Sequence, residues 1–301
     1  VQRRWTSMKN MLTEKEENIS GINTDIISYC SESKTKILIF PGNPGIADLY
    51  KNFAELIIEA MGGNCCIYII GYAGFTKKKP ERHYTIQEET EHKAEVIHQL
   101  RKNWAPDSRI FILGHSIGSW IGMEVVKKFR KEMKIALILL FPFIAKSDNE
   151  IQKKFAGFSE KKRYYQFLLA GYKVFRKLPG TMLSPMIKFF YSYASEYALE
   201  IISEFFLERS HIPENIFYLA NSEFHTLSYE LDMDFFESEK KSVVLFYCHE
   251  DMWAPVSQME QLRNQIPDIR TEVLPLITHD FCVNSDQCRT VAQKVCESVQ
   301  F

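Results

Sequence analysis

Arg109-Ile-Phe-Ile-Leu113 runs directly into Gly114-His-Ser-Ile-Gly118, and this junction decides what kind of domain the chain forms. The first five residues are apolar and β-branched enough to read as a buried strand. The residues from 118 to 131 carry helical spacing. A serine flanked by glycines between a strand and a helix implies a sharp turn, with no room for side chains at its two ends. The strained serine then projects its hydroxyl clear of the sheet. A plain glycine-rich turn is the bland alternative, and the strand before and the helix after weigh against it.

Outward from this junction the pattern alternates. Residues 24–30, 36–40, 65–70 and 135–141 read as strands, and 48–62 and 85–104 as helices. Such alternation indicates an α/β fold, and unbroken apolar strands belong to a mostly parallel sheet with helices on both faces. Between 142 and 241 the rhythm breaks into helix or loop, interrupted at Pro179-Gly180, Pro185 and Pro213. Residues 242–248 restore the sheet. A helix at 256–264, a short strand at 271–274 and a helix at 287–299 close it. The expected organisation is an α/β-hydrolase core of residues 1–141 and 242–301, with residues 142–241 inserted as a helical lid.

Composition narrows the functional classes. The chain has 301 residues with a formal net charge of −1, 46% hydrophobic and 25% charged residues. Those are globular values, and the lack of a basic excess argues against a nucleic-acid partner. The longest apolar stretch, 135–145, is about half of what a spanning helix needs. Residues 1–17 are basic and then acidic with no apolar centre, so no secretory leader is expected. Seven scattered cysteines contain no Cys-x-x-Cys pair, which speaks against zinc and dithiol chemistry. Reduced thiols are expected, with Cys65 and Cys66 part of a buried strand rather than a cross-link.

A hydroxyl is a poor nucleophile at neutral pH, so a base and an orienting acid must follow Ser116, in the order Ser, acid, His for this fold. Asp251 lies just past the 242–248 strand with Pro255 four residues on; Glu250 is the competing acid. His279 is the only histidine after Asp251, so the order selects it. His115 reads as a packing residue under the turn, and no role is assigned to the remaining histidines. Two N–H donors must face the oxyanion of a tetrahedral intermediate. Ile117 follows the nucleophile, and Asn43 is the natural donor in Pro41-Gly-Asn-Pro-Gly45, since Pro44 has no N–H. This chemistry needs no metal or cofactor.

These residues also resemble a family. Pro41-Gly-Asn-Pro-Gly45, Gly114-His-Ser-Ile-Gly-Ser119, Glu91-His-Lys93, Leu140-Phe-Pro142 and the late Asp251 and His279 look like lipid droplet-associated hydrolase. The likeness runs from about residue 36 to 299 and is weakest through the insertion. Where many α/β-hydrolases have His-Gly at the oxyanion loop, Pro41-Gly42 stands here, as in that family. The resemblance implies a serine esterase acting on neutral lipid, with cholesteryl ester as the substrate class. It also implies residence on lipid droplets and the cytosolic face of the endoplasmic reticulum. A rival class is a droplet-surface interaction protein that keeps the scaffold but turns over little.

The insertion hides two opposed charge blocks. Residues 150–188 carry nine Lys or Arg against Glu150 and Glu160, while 189–239 carry Arg209 against eleven acids. Lys161, Lys162, Arg163, Tyr164, Tyr165 and Phe167 interleave cations with rings, a composition suited to a phospholipid monolayer. The competing reading is a lid whose aromatic residues pack on the core and whose halves attract each other.

Overall fold

The computed structural model describes residues 11–160, 162–175, 177–209 and 211–299; side chains at 158–160, 162–166, 168 and 169 are outside that description. Eight strands form one sheet in the order β1-β2-β4-β3-β5-β6-β7-β8. They are β1 (Thr13–Ile19), β2 (Ile22–Cys30), β3 (Thr35–Phe40), β4 (Cys66–Ile70), β5 (Arg109–His115), β6 (Ile135–Leu140), β7 (Val243–Cys248) and β8 (Arg270–Leu274). From β4 through β8 the strands are parallel, whereas β1 and β2 pair antiparallel at one edge. The central strands β3, β5, β6 and β7 are buried almost throughout. That accounts for their unbroken apolar runs: both faces are covered.

Helices α1 (Lys51–Ala60), α2 (Ile86–Leu100) and α3 (Ile117–Phe129) follow β3, β4 and β5. The crossover segment after β6 holds α4 (Glu150–Glu160), α5 (Lys162–Phe175), α6 (Gly180–Phe190), α7 (Glu196–Leu207), α8 (His211–Thr226) and α9 (Met233–Glu239). Helix α10 (Val256–Gln265) and helix α11 (Ser285–Val299) complete the chain. One helical layer pairs α1 with α11, the other α2 with α3. In the crossover segment, α8 is the element that packs against α4, α5 and α7, and it also meets α2 and the turn Ala73–Phe75. Pro213 falls in the first turn of α8, where the missing N–H costs nothing. Pro185, read as a break, lies inside α6.

Two expectations are corrected. Strand β1, whose sequence Thr-Glu-Lys-Glu-Glu-Asn-Ile is mostly exposed, carried no apolar signal. It is an edge strand joined to β2 through Ser20 and Gly21, both at positive φ as a two-residue hairpin turn requires. Its charges suit an edge that must not recruit another strand. The second correction concerns thiols. Cys66 does lie in a strand, but it stands directly opposite Cys30 on β2 and the two form a disulfide. Cys65, Cys248, Cys282, Cys288 and Cys296 are free and buried.

A buried ion pair sits behind the loop that follows β4. Glu89 and Lys93 lie one turn apart on α2, 3.4 Å between charged atoms and both essentially inaccessible. Glu89 accepts the N–H groups of Ala73 and Gly74 at 3.1 and 3.2 Å, and Lys93 donates to the Gly71 carbonyl at 2.8 Å. Lys93 also caps the ring of Tyr72, 4.5 Å from its centroid. Burial pushes the Glu89 carboxyl up and the Lys93 ammonium down, each opposed by the partner's charge. Removing one charge strands the other in a medium that cannot solvate it. Lys93→Met should therefore cost about 3–5 kcal/mol in urea unfolding, and Glu89→Gln/Lys93→Met clearly less. A double variant no more stable than the single one would contradict this account.

Candidate active site

The strand-to-helix turn is built as tightly as its glycines imply. A Cβ on Gly114 would stand 2.6 Å from the Gly118 carbonyl oxygen, and one on Gly118 2.4 Å from the carbonyl oxygens of Phe40 and Pro41. Between them Ser116 takes φ 53° and ψ −123°, a conformation L residues avoid. The strain aims the Oγ out of the carboxyl end of the sheet.

Three side chains from three loops converge there. Asp251 follows β7, and its Oδ1 accepts the N–H groups of Trp253 and Ala254 at 2.8 and 3.0 Å. This local turn orients the carboxylate, and Pro255 then opens α10. Glu250 points to solvent whereas Asp251 is buried. His279, between β8 and α11, meets Asp251 Oδ2 through Nδ1 at 2.7 Å and Ser116 Oγ through Nε2 at 2.8 Å. Burial alone would raise the Asp251 carboxyl. Its hydrogen bond and charge attraction with His279, with the two backbone donors, hold it below the usual range instead. An ionised Asp251 accepts from His279 Nδ1–H, which leaves Nε2 bare to accept from Ser116.

The loop 41–45 lies against this group, since a Cβ on Gly42 would sit 3.1 Å from Ser116 Cβ. Ile117 is the first residue of α3, so its N–H has no helical acceptor behind it. The side chain of Asn43 turns the other way. Its Nδ2 donates to the Ile216 carbonyl at 3.0 Å and to Glu223 Oε1 at 3.2 Å, both on α8. Helix α8 is further fixed by His211 to the Thr76 carbonyl, and by Asn215 to the Gly74 carbonyl and to His83. Neither Glu223 nor Tyr50, which takes the Gly42 N–H at 2.8 Å, was legible as a site residue. Glu223 meets Asn43 and Tyr50 meets His115 across long stretches of sequence, and no motif marks either pairing. His115 is buried under the turn, as its reading supposed, but it is also hydrogen-bonded to Tyr50 and to the His279 carbonyl.

Of the six surface candidates, Lys161 lies outside the described residues. Lys162, Arg163, Tyr164 and Tyr165 fall on α5 with side chains outside the description, and Phe167 is 73% exposed. Among the described residues no group of His, Cys, Asp or Glu converges to hold a metal. A cleft of about 610 Å3 lined by Arg109, Arg130, Lys134 and Arg270 opens at the amino ends of the strands, away from Ser116. The site is therefore picked out by side-chain geometry rather than by cavity size.

A mostly parallel sheet whose strained serine, acid and histidine emerge in that order from its carboxyl end defines the class: this is an α/β-hydrolase fold. Residues 33–282 match the family model described as lipid-droplet associated hydrolase, and the chain belongs to that family. A lipid droplet-associated hydrolase of Rattus norvegicus is 26% identical over 88% of this chain and 85% of its own. Solved structures share the fold. A thermophilic esterase from Thermogutta terrifontis aligns over 96% and 98% of the two chains with a TM-score of 0.64 at 17% identity. A haloalkane dehalogenase from Agrobacterium tumefaciens aligns over 98% and 99% with a TM-score of 0.68 at 12% identity. Two such differently named proteins on one fold show why function must be argued from side chains.

Burial pushes the Glu223 carboxyl up to about 8, against a smaller downward pull from Asn43. From the ordinary carboxyl range, about 4.3, up to about 8 the folded chain then holds one proton more than the unfolded one. Its contribution to stability is complete at low pH and is lost as pH rises through that interval. Glu223→Gln removes the titration, so its melting temperature should gain on wild type by roughly 3–6 °C between pH 5.5 and 8.5. Parallel pH curves for the two proteins would rule this out.

Proposed function

We propose that the chain is a serine esterase that cleaves carboxylic esters of neutral lipids, of the cholesteryl ester class, through an acyl-enzyme. The observation that carries the reading is the continuous hydrogen-bonded line Ser116–His279–Asp251, at 2.8 and 2.7 Å. In this mechanism His279 Nε2 takes the Ser116 proton as Oγ attacks the ester carbonyl, and Asp251 stabilises the imidazolium and fixes its tautomer. The backbone N–H groups of Ile117 and Asn43 face the oxyanion. His279 returns the proton to the departing alcohol, leaving the acyl group on Ser116. Water, deprotonated by His279, then releases the fatty acid. The lipid substrate class rests on the family name and on the sequence resemblance.

Residues 142–241 act in this reading as a lid that meets the droplet surface. Its outward-facing residues support that role: Phe167, Val174, Met182, Phe189 and Phe190 on α5 and α6 are all exposed. Lys173, Lys177 and Lys188 stand among them. Rings and methylenes enter a monolayer while cations meet phosphates. Among the described residues no helix is long and apolar enough to cross a membrane, and peripheral binding to droplets and the cytosolic endoplasmic reticulum face is what this surface would provide.

Three measurements test the reading. A fluorophosphonate probe should label folded wild type and not Ser116→Ala, whose ester hydrolysis should fall by about 10⁴-fold or more. Absence of labelling on the folded protein would leave a scaffold with little turnover. Across an acyl series from short nitrophenyl esters to cholesteryl oleate, kcat/KM should rise toward the long-chain lipids. A maximum at acetate would overturn the lipid assignment. Replacing Phe189 and Phe190 together by Ser, or reversing charge at Lys161, Lys162 and Arg163, should lower recovery with floated droplets about tenfold or more. Unchanged flotation would favour the packed-lid alternative.

A further inference from the structure

Four groups beneath the site form a hydrogen-bonded line whose donors and acceptors can be assigned in turn. The Gly42 N–H donates to Tyr50 Oη at 2.8 Å. Tyr50 Oη lies 2.5 Å from His115 Nδ1, and His115 Nε2 lies 2.8 Å from the carbonyl oxygen of His279. A carbonyl only accepts, so His115 Nε2 must carry a hydrogen. Burial lowers the His115 pKa to about 3, with the nearby His279 adding to the effect, so the ring holds a single proton at neutral pH. Its Nδ1 is therefore bare and accepts the Tyr50 hydroxyl hydrogen. Tyr50 oxygen in turn is free to accept from Gly42. Burial keeps the Tyr50 hydroxyl protonated, and the Cys282 thiol beside it is also held protonated by burial.

The two ends of this line belong to two different loops that both meet Ser116. Gly42 precedes Asn43 in the loop that faces the oxyanion, and the accepting carbonyl belongs to the residue whose ring binds Ser116. His115 itself is the residue before the nucleophile. Resting on the serine-hydrolase reading, we propose that Tyr50 and His115 are positioning residues that lock the oxyanion loop and the backbone of His279 to one another across the underside of Ser116.

Rigid surroundings make such a lock effective. The His115 ring is enclosed by the rings of Tyr50, Phe281, Phe141 and His279, with centroids 5.8, 5.1, 6.2 and 5.2 Å away. Tyr50, Phe141 and Phe281 are themselves buried. Among these four rings only His279 is partly exposed, so water does not readily replace a lost hydrogen bond on the Tyr50 side of the cage. Each bond removed instead frees the loop or the histidine to shift, and misplacement by about 1 Å can cost 10²-fold in rate.

The discriminating variants preserve shape. Tyr50→Phe keeps the ring and deletes only the hydroxyl, and His115→Phe keeps an aromatic plug and deletes both nitrogens. His115→Gln presents an amide that can accept from Tyr50 and donate to His279. On short nitrophenyl esters Tyr50→Phe and His115→Phe should lower kcat and the fluorophosphonate labelling rate about 10–100-fold, with KM within about twofold. His115→Gln should recover a substantial part of the loss. Thermal melting and near-ultraviolet circular dichroism define the folded fraction to which rates are normalised. Wild-type labelling and kcat in folded Tyr50→Phe, or equal losses for His115→Gln and His115→Phe, would overturn the lock while leaving the serine mechanism intact. Wild type that resists the probe would overturn both.

Discussion

The backbone at Ser116 is the constraint around which the rest of the molecule is arranged. A serine held at positive φ is costly, of order 1–3 kcal/mol, and persists only where its surroundings leave no alternative. They do so here through strand β5 on one side, helix α3 on the other, and carbonyls of Phe40 and Pro41 that pass too close to Gly118 for any side chain. The same closeness brings the loop after β3 against Ser116. One local strain thus sets both where the hydroxyl points and which loop lies beside it.

Around that turn the structure is tied from behind rather than from the open side. Tyr72 donates to the Pro41 carbonyl, and the loop carrying Tyr72 is anchored by the buried Glu89–Lys93 pair. From the crossover segment, α8 reaches the loop 41–45 through Asn43 and Glu223. Helices α5 and α6 instead leave large apolar side chains in solvent. The segment between β6 and β7 therefore has two physical characters: one helix tied by polar contacts to the loop 41–45, and two others that bury part of their apolar surface and present the rest to solvent.

Sequence patterning carried the central strands, the turn at Ser116 and the three convergent side chains, because each is announced by a local pattern or by order along the chain. Apolar runs mark β3, β5, β6 and β7, glycines mark the turn, and fixed order picks out Asp251 and His279. It failed where the signal is relational. Strand β1 is mostly charged, and only its pairing with β2 makes it a strand. Cys30 and Cys66 looked like unrelated thiols until β2 and β4 placed them opposite each other. Pro185 looked like a break and is carried within a helix.

The amino-acid sequence by itself determined the α/β class, the strained turn at Ser116 and the order of serine, acid and histidine. Periodicity and glycine placement are read within a few residues, and the order is read from the linear chain alone. Only the tertiary structure decided which buried polar groups share a proton or a charge. Asn43 meets Glu223 across 180 residues of chain, and His115 reaches the His279 carbonyl across 164. Such pairings arise because a buried donor or acceptor must find a partner inside the fold, and nothing in the local sequence names that partner.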